Sequence, residues 1–69
     1  MKLSARNQLE GTVSGIRRGE AIANVAVDVS GQRLVASITV EAVEELGLAP
    51  GAPVTVVVKA SDVILATTD

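Results

Sequence analysis

Between Ala21 and Val29 the chain alternates: Ala23, Val25, Val27 and Val29 share one face, with Asn24, Ala26 and Asp28 opposite. A period of two is the mark of a half-buried strand, because successive side chains of an extended chain point to opposite faces. Ser30-Gly31 or Gly31-Gln32 supplies a tight turn, and Leu34, Ala36 and Ile38 repeat the alternation beyond it. Residues 21–39 therefore read as a β-hairpin. The same period runs earlier through Leu3, Ala5, Asn7, Leu9, Gly11, Val13 and Gly15. Gly11 and Gly15 within that run point to a bulge, a bend or a close backbone approach. Arg17-Arg18-Gly19-Glu20 reads as a solvated turn. Later, Val54, Val56 and Val58 mark a strand over Pro53–Lys59, Ser61-Asp62 turns the chain, and Val63, Leu65 and Thr67 mark a last strand. Thr68-Asp69 is expected to fray.

The period changes between Thr39 and Leu48. Val40, Val43 and Leu46 fall three apart, a helical stripe, with Glu41, Glu44 and Glu45 facing outward. Thr39 suits the N-cap, and Gly47 followed by Leu48 suits a helix end with a left-handed glycine. The element order is three strands, a short helix, then two strands. That order predicts an all-β fold, an OB-fold-like five-stranded, partly open Greek-key barrel with one short helix.

The chain of 69 residues is expected to form one domain, residues 1–69. Apolar residues make up 48%, nearly all Val, Ala, Leu and Ile, without Phe, Tyr, Trp or Cys. Small aliphatic side chains make a thin core in a domain this size, which points to association of subunits as a further source of burial. An open barrel also leaves strand edges that a neighbouring subunit can cover. The N-terminus has no apolar run after Met1-Lys2, and no stretch approaches the ~20 apolar residues of a membrane span, so a cytoplasmic protein with no membrane partner is expected.

Catalysis fits poorly. The chain has no His and no Cys, Ser4 and Ser61 lack a general base in sequence view, and Gly11 to Gly19 lacks the Lys-Ser/Thr of a phosphate loop. No enzyme activity and no organic cofactor are expected. Nucleic-acid binding fits no better. A single-strand-binding OB surface stacks bases on aromatic rings in a basic groove, whereas this chain has no aromatic residue and a net charge of −2.

Two segments carry donors and cations without a carboxylate: Ser4-Ala5-Arg6-Asn7 and Lys59-Ala60-Ser61. Arg offers a planar fork of donors, Lys a compact charge and Ser a rotatable hydroxyl. The plain alternative is a pair of solvated edge segments, since isolated surface charges contribute little. A doubly charged tetrahedral anion has only acceptors, so a shell made of donors favours it over a phosphate that still carries a proton.

The runs Ser4 to Val13, Leu34 to Thr39, Glu45-Leu46-Gly47-Leu48 with Pro50-Gly51, and Val58 to Val63 resemble the signature of the molbindin (Mop) family of small molybdate-binding proteins. The likeness covers essentially the whole chain. It implies an OB-like homo-oligomer, a hexamer built as a trimer of dimers, with molybdate or tungstate held at subunit interfaces. By that resemblance Ser4, Ala5, Arg6, Thr39, Lys59, Ala60 and Ser61 form the main oxyanion site, the alanines through backbone N–H groups. A second anion site falls around Gly19, Glu20 and Ile22, where the Glu20 carboxylate repels an anion unless it points away. Where the family often has Ser three residues after the Thr, this chain has Ala42, one hydroxyl fewer. With no helix-turn-helix and no nucleotide loop, the implied role is molybdate storage and homeostasis. The alternative is a small oligomerisation or protein-interaction module without an ion ligand.

Overall fold

The structure, a computed structural model, describes residues 2–68. Its elements are β1 (Asn7–Arg18), β2 (Ile22–Val29), β3 (Gln32–Thr39), α1 (Val40–Glu45), β4 (Pro53–Val58) and a 3-10 turn at Ala60–Asp62. All strand pairs are antiparallel, and the spatial order is β3-β2-β1-β4. A fourth strand returning beside the first is the Greek-key arrangement, so the all-β class with one short helix holds.

β1 is long because it serves two partners. Residues from Asn7 to Thr12 pair with β4, and those from Thr12 to Arg18 pair with β2. The ladder to β2 slips between Val13, opposite Val27, and Gly15, opposite Ala26, which leaves Ser14 as a bulge. One extra residue exchanges the two faces of a strand. Val13 is thus buried before the bulge, while Ile16 packs on the core after it. The expected inward series through Gly15 ends there for this reason. Leu3 and Leu9, at its start, are exposed.

At Gly11 β1 lies close against β2. A Cβ added there would lie 2.7 Å from the Asp28 carbonyl oxygen and 2.7 Å from Val27 Cγ1. The carbonyl is main chain and cannot rotate away. Gly11→Ala is expected to destabilise the fold by about 1–3 kcal/mol, read as a lowered urea midpoint. An unchanged midpoint would mean that β1 and β2 separate there at little cost.

The hairpin forms as expected. Ser30 and Gly31 both take positive φ (50° and 86°), the two-residue turn whose twist matches the flanking strands. The preceding turn is shorter than expected. Arg17 and Arg18 lie inside β1, paired with Asn24 and Ala23, and the Gly19 N–H donates to the Ile22 carbonyl at 2.8 Å.

Thr39 does cap α1, its Oγ1 accepting from the Ala42 N–H at 3.0 Å. At the other end Gly47 adopts φ 65°. Its N–H donates to the Glu44 carbonyl, and the Leu48 N–H donates to the Val43 carbonyl. This paired closure satisfies carbonyls that a helix end otherwise leaves open. Leu46 does not join the buried stripe. It is the C-cap residue, is 66% exposed, and Leu48 packs on the core instead. Thr39→Ala is expected to cost about 1 kcal/mol in thermal stability. Thr39→Ser, which keeps the acceptor, should restore most of that loss.

Val13, Ala23, Val25, Val27 and Val43 form the buried core, with Val54 and Val56 of β4 packed against it. The fifth strand does not form. Residues 63–68 make no ladder, and Val63, Ile64 and Leu65 are 47%, 92% and 88% exposed. This segment leaves the sheet at the 3-10 turn and meets no partner strand of its own chain. β3 and β4 each keep one unpaired edge. Thr68 lies in the same unpaired segment, and Asp69 lies outside the described residues.

Candidate oxyanion site

The β1–β4 ladder ends at Asn7 opposite Val58. The next residues outward are Arg6, which precedes Asn7, and Lys59, which follows Val58. The two donor segments, far apart in the chain, therefore leave the sheet side by side at one end. Each then departs from strand geometry. Ser4 lies in a bend, and Ala60–Asp62 forms the 3-10 turn, with the Asp62 N–H donating to the Lys59 carbonyl at 2.9 Å. The first N–H groups of such a turn have no acceptor within it. Ser4, Arg6, Lys59, Ala60 and Ser61 are exposed and Ala5 is half-buried. Exposed charges are screened by water and salt, so a second surface must cover this end for the cations to act at full strength.

Thr39 lies elsewhere. It pairs with Ile22, next to the end of β1 at Arg18 opposite Ala23. Eleven residue steps separate that end from Asn7, roughly 35 Å of strand. Thr39 thus stands beside the opposite end of β1 from Arg6. The capping bond occupies a lone pair of Thr39 Oγ1 and leaves its O–H free to donate. The groove around it is lined by Glu20, Ala21, Thr39, Val40, Glu41 and Glu44. Three carboxylates there oppose an anion.

Gly19, Glu20 and Ile22 share that end of the sheet. The Gly19 N–H is already spent on Ile22, and Glu20 lines the carboxylate groove. This set offers an anion less than the Arg6–Lys59 end does. Two further cations, Arg17 and Arg33, line a trough with Gly15, Asn24, Ala26 and Val35. Among the described residues, no group of three or more His, Cys, Asp or Glu is arranged to hold a metal ion. No described helix is long and apolar enough to cross a membrane.

Reasoning from sequence did not assign a role to the Asn7 side chain. Its Nδ2 donates to the Val58 carbonyl at 3.2 Å, tying the two donor segments at their root. The available signal was its place directly after Ser4-Ala5-Arg6.

The TOBE domain family matches residues 3–65. A molybdenum-pterin-binding protein of Clostridium pasteurianum is 44% identical over 66 residues, 94% of this chain and 97% of that protein. The solved structure of a molybdate-binding protein from Sporomusa ovata superposes with a TM-score of 0.92 at 43% identity, covering 97% of this chain and all of that one. The cytoplasmic molybdate-binding protein ModG, solved with molybdate bound, gives a TM-score of 0.88 at 48% identity, over 93% of this chain and 46% of that one. Agreement in sequence, length and backbone along nearly the whole chain is the signature of common descent, and the chain belongs to the TOBE domain family, among its molbindin members.

Proposed function

We propose that this chain binds molybdate, and tungstate with it, at interfaces between its own copies, and that it stores the anion in the cytoplasm. One observation supports the reading: the β1–β4 ladder ends at Asn7 opposite Val58, the chain neighbours of Arg6 and Lys59. Two cations, the hydroxyls of Ser4 and Ser61, and the N–H groups at Ala5 and Ala60 make a shell of donors. Molybdate at neutral pH is a tetrahedral dianion with acceptors only, and it suits such a shell because each of its oxygens can accept from a donor. The relatives named above support the choice of anion, one being a molybdenum-pterin-binding protein and two being molybdate-binding proteins. Binding, rather than catalysis, is the whole activity proposed.

The interface is part of the proposal. Arg6 precedes the start of β1 and Thr39, on β3, lies beside its far end, so a shell containing both draws on two copies. The exposed arm at Val63-Ile64-Leu65 and the open edges of β3 and β4 supply apolar area and strand edges for such contacts. A hexamer, as a trimer of dimers, is the assembly proposed. The second set, Gly19, Glu20 and Ile22, is proposed as a weaker seat.

Calorimetric titration with molybdate, tungstate, sulfate and phosphate tests the reading. Tight binding of the first two is expected, together with a native mass several times the 7.0 kDa of one chain. A flat titration with all four anions would leave a protein-interaction module.

A further inference from the structure

The geometry points to Asn7 as a positioning residue that holds Lys59 in register with Arg6; this rests on the oxyanion reading above. Two side-chain hydrogen bonds form among the described residues, from Asn7 Nδ2 to the Val58 carbonyl and from the Ala42 N–H to Thr39 Oγ1. Each lies at a segment named for the anion. Asn7 and Val58 are the outermost pair of the β1–β4 ladder. Immediately beyond them the chain leaves strand geometry on both sides, at the bend of Ser4 and the turn at Ala60–Asp62. A ladder frays at its end unless something holds it, and the half-buried Asn7 amide adds a bond at that place.

The bond falls on a particular peptide plane. The Val58 carbonyl and the Lys59 N–H belong to one planar unit, so holding the carbonyl fixes the direction of that N–H. It also fixes the start of the Lys59 side chain and of the turn that follows. On the other strand Asn7 directly follows Arg6. One side chain thus sets the spacing of the two cations without touching the anion itself. A strand-end staple without this role would stabilise the sheet and leave affinity alone.

The test uses the full-length protein and separates those two effects. Asn7→Leu keeps the volume and removes the donor, while Asn7→Gln keeps the donor on a longer stem. Molybdate affinity is measured by calorimetry, and the thermal midpoint and native mass of the anion-free protein are measured alongside. Asn7→Leu is expected to bind about 5- to 10-fold more weakly, the worth of one neutral hydrogen bond. Its midpoint should stay within a few degrees and its assembly should be intact, and Asn7→Gln should recover part of the affinity. Equal affinity in the wild type and Asn7→Leu overturns the inference. So does a loss matched by dissociation of the assembly, which marks a structural staple. A wild-type protein that binds no molybdate defeats the oxyanion reading instead, so the two failures are distinguishable.

Discussion

Arg6→Ala is expected to weaken molybdate binding by about 100-fold or more, with the fold intact. A guanidinium facing a dianion makes paired, charge-assisted hydrogen bonds, each worth roughly 1.5–3 kcal/mol. Losing two of them exceeds the ~2.8 kcal/mol that corresponds to 100-fold. Arg6 is exposed in the single chain, so its removal opens no cavity and the thermal midpoint of the anion-free protein should hardly move. Lys59→Ala is expected to follow, at roughly 10- to 100-fold for one charged bond, and Ser61→Ala at about 5-fold for one neutral bond. The order of the three matters more than any one value. If Ser61→Ala proves the worst of them, the charges are not what hold the anion, and the division of labour between cation and hydroxyl is wrong. Arg6→Lys should recover only part of the loss, because an ammonium cannot present two parallel donors to one anion.

Removing the arm is expected to take the assembly apart. Val63, Ile64 and Leu65 are consecutive and exposed, at 47%, 92% and 88%. Burying such side chains is worth about 1.5–3 kcal/mol each, so three of them contribute on the order of 5–9 kcal/mol per arm. A buried core of five residues, the largest of them valine, has little surplus to offer in exchange. Ile64→Asp with Leu65→Asp keeps the chain length and makes burial of the arm prohibitive. Light scattering on that variant should give a mass near the 7.0 kDa of one chain, where the wild type gives a multiple of it. Molybdate binding should fall with the mass, because the site proposed above draws on two copies. An unchanged assembly would show that the arm is not the seal, and would move the interface to the open edges of β3 and β4.

Much of the fold was legible because local chemistry and tertiary structure agree. Ser30-Gly31 between two alternating runs has one good solution, a two-residue turn with positive φ, and β2 and β3 follow from it. Thr39 and Gly47 bracket α1 because a capping oxygen and a left-handed glycine are short-range demands. The misses share a different cause. Gly15 and Leu46 each continue a period that the structure interrupts, at the Ser14 bulge and at the helix C-cap. The last run, Val63, Leu65 and Thr67, has the alternation of a strand. A strand also needs a partner edge, and residues 63–68 pair with neither open edge of their own sheet.

The site divides in the same way. Residue chemistry alone determined which segments suit a dianion, because donor and cation content is written in the side chains of Ser4, Arg6, Lys59 and Ser61. It likewise determined the strand periods, the hairpin turn and both helix ends, all set by interactions within a few residues. Tertiary structure alone decided that Asn7 and Val58, the neighbours of Arg6 and Lys59, close one end of the β1–β4 ladder while Thr39 stands beside the far end of β1. That placement depends on the register between strands some fifty residues apart in the chain, to which Asn7 contributes its bond to Val58 (|i−j| of 51). Register is a collective choice of two whole strands burying the same faces, so no short stretch of sequence carries it.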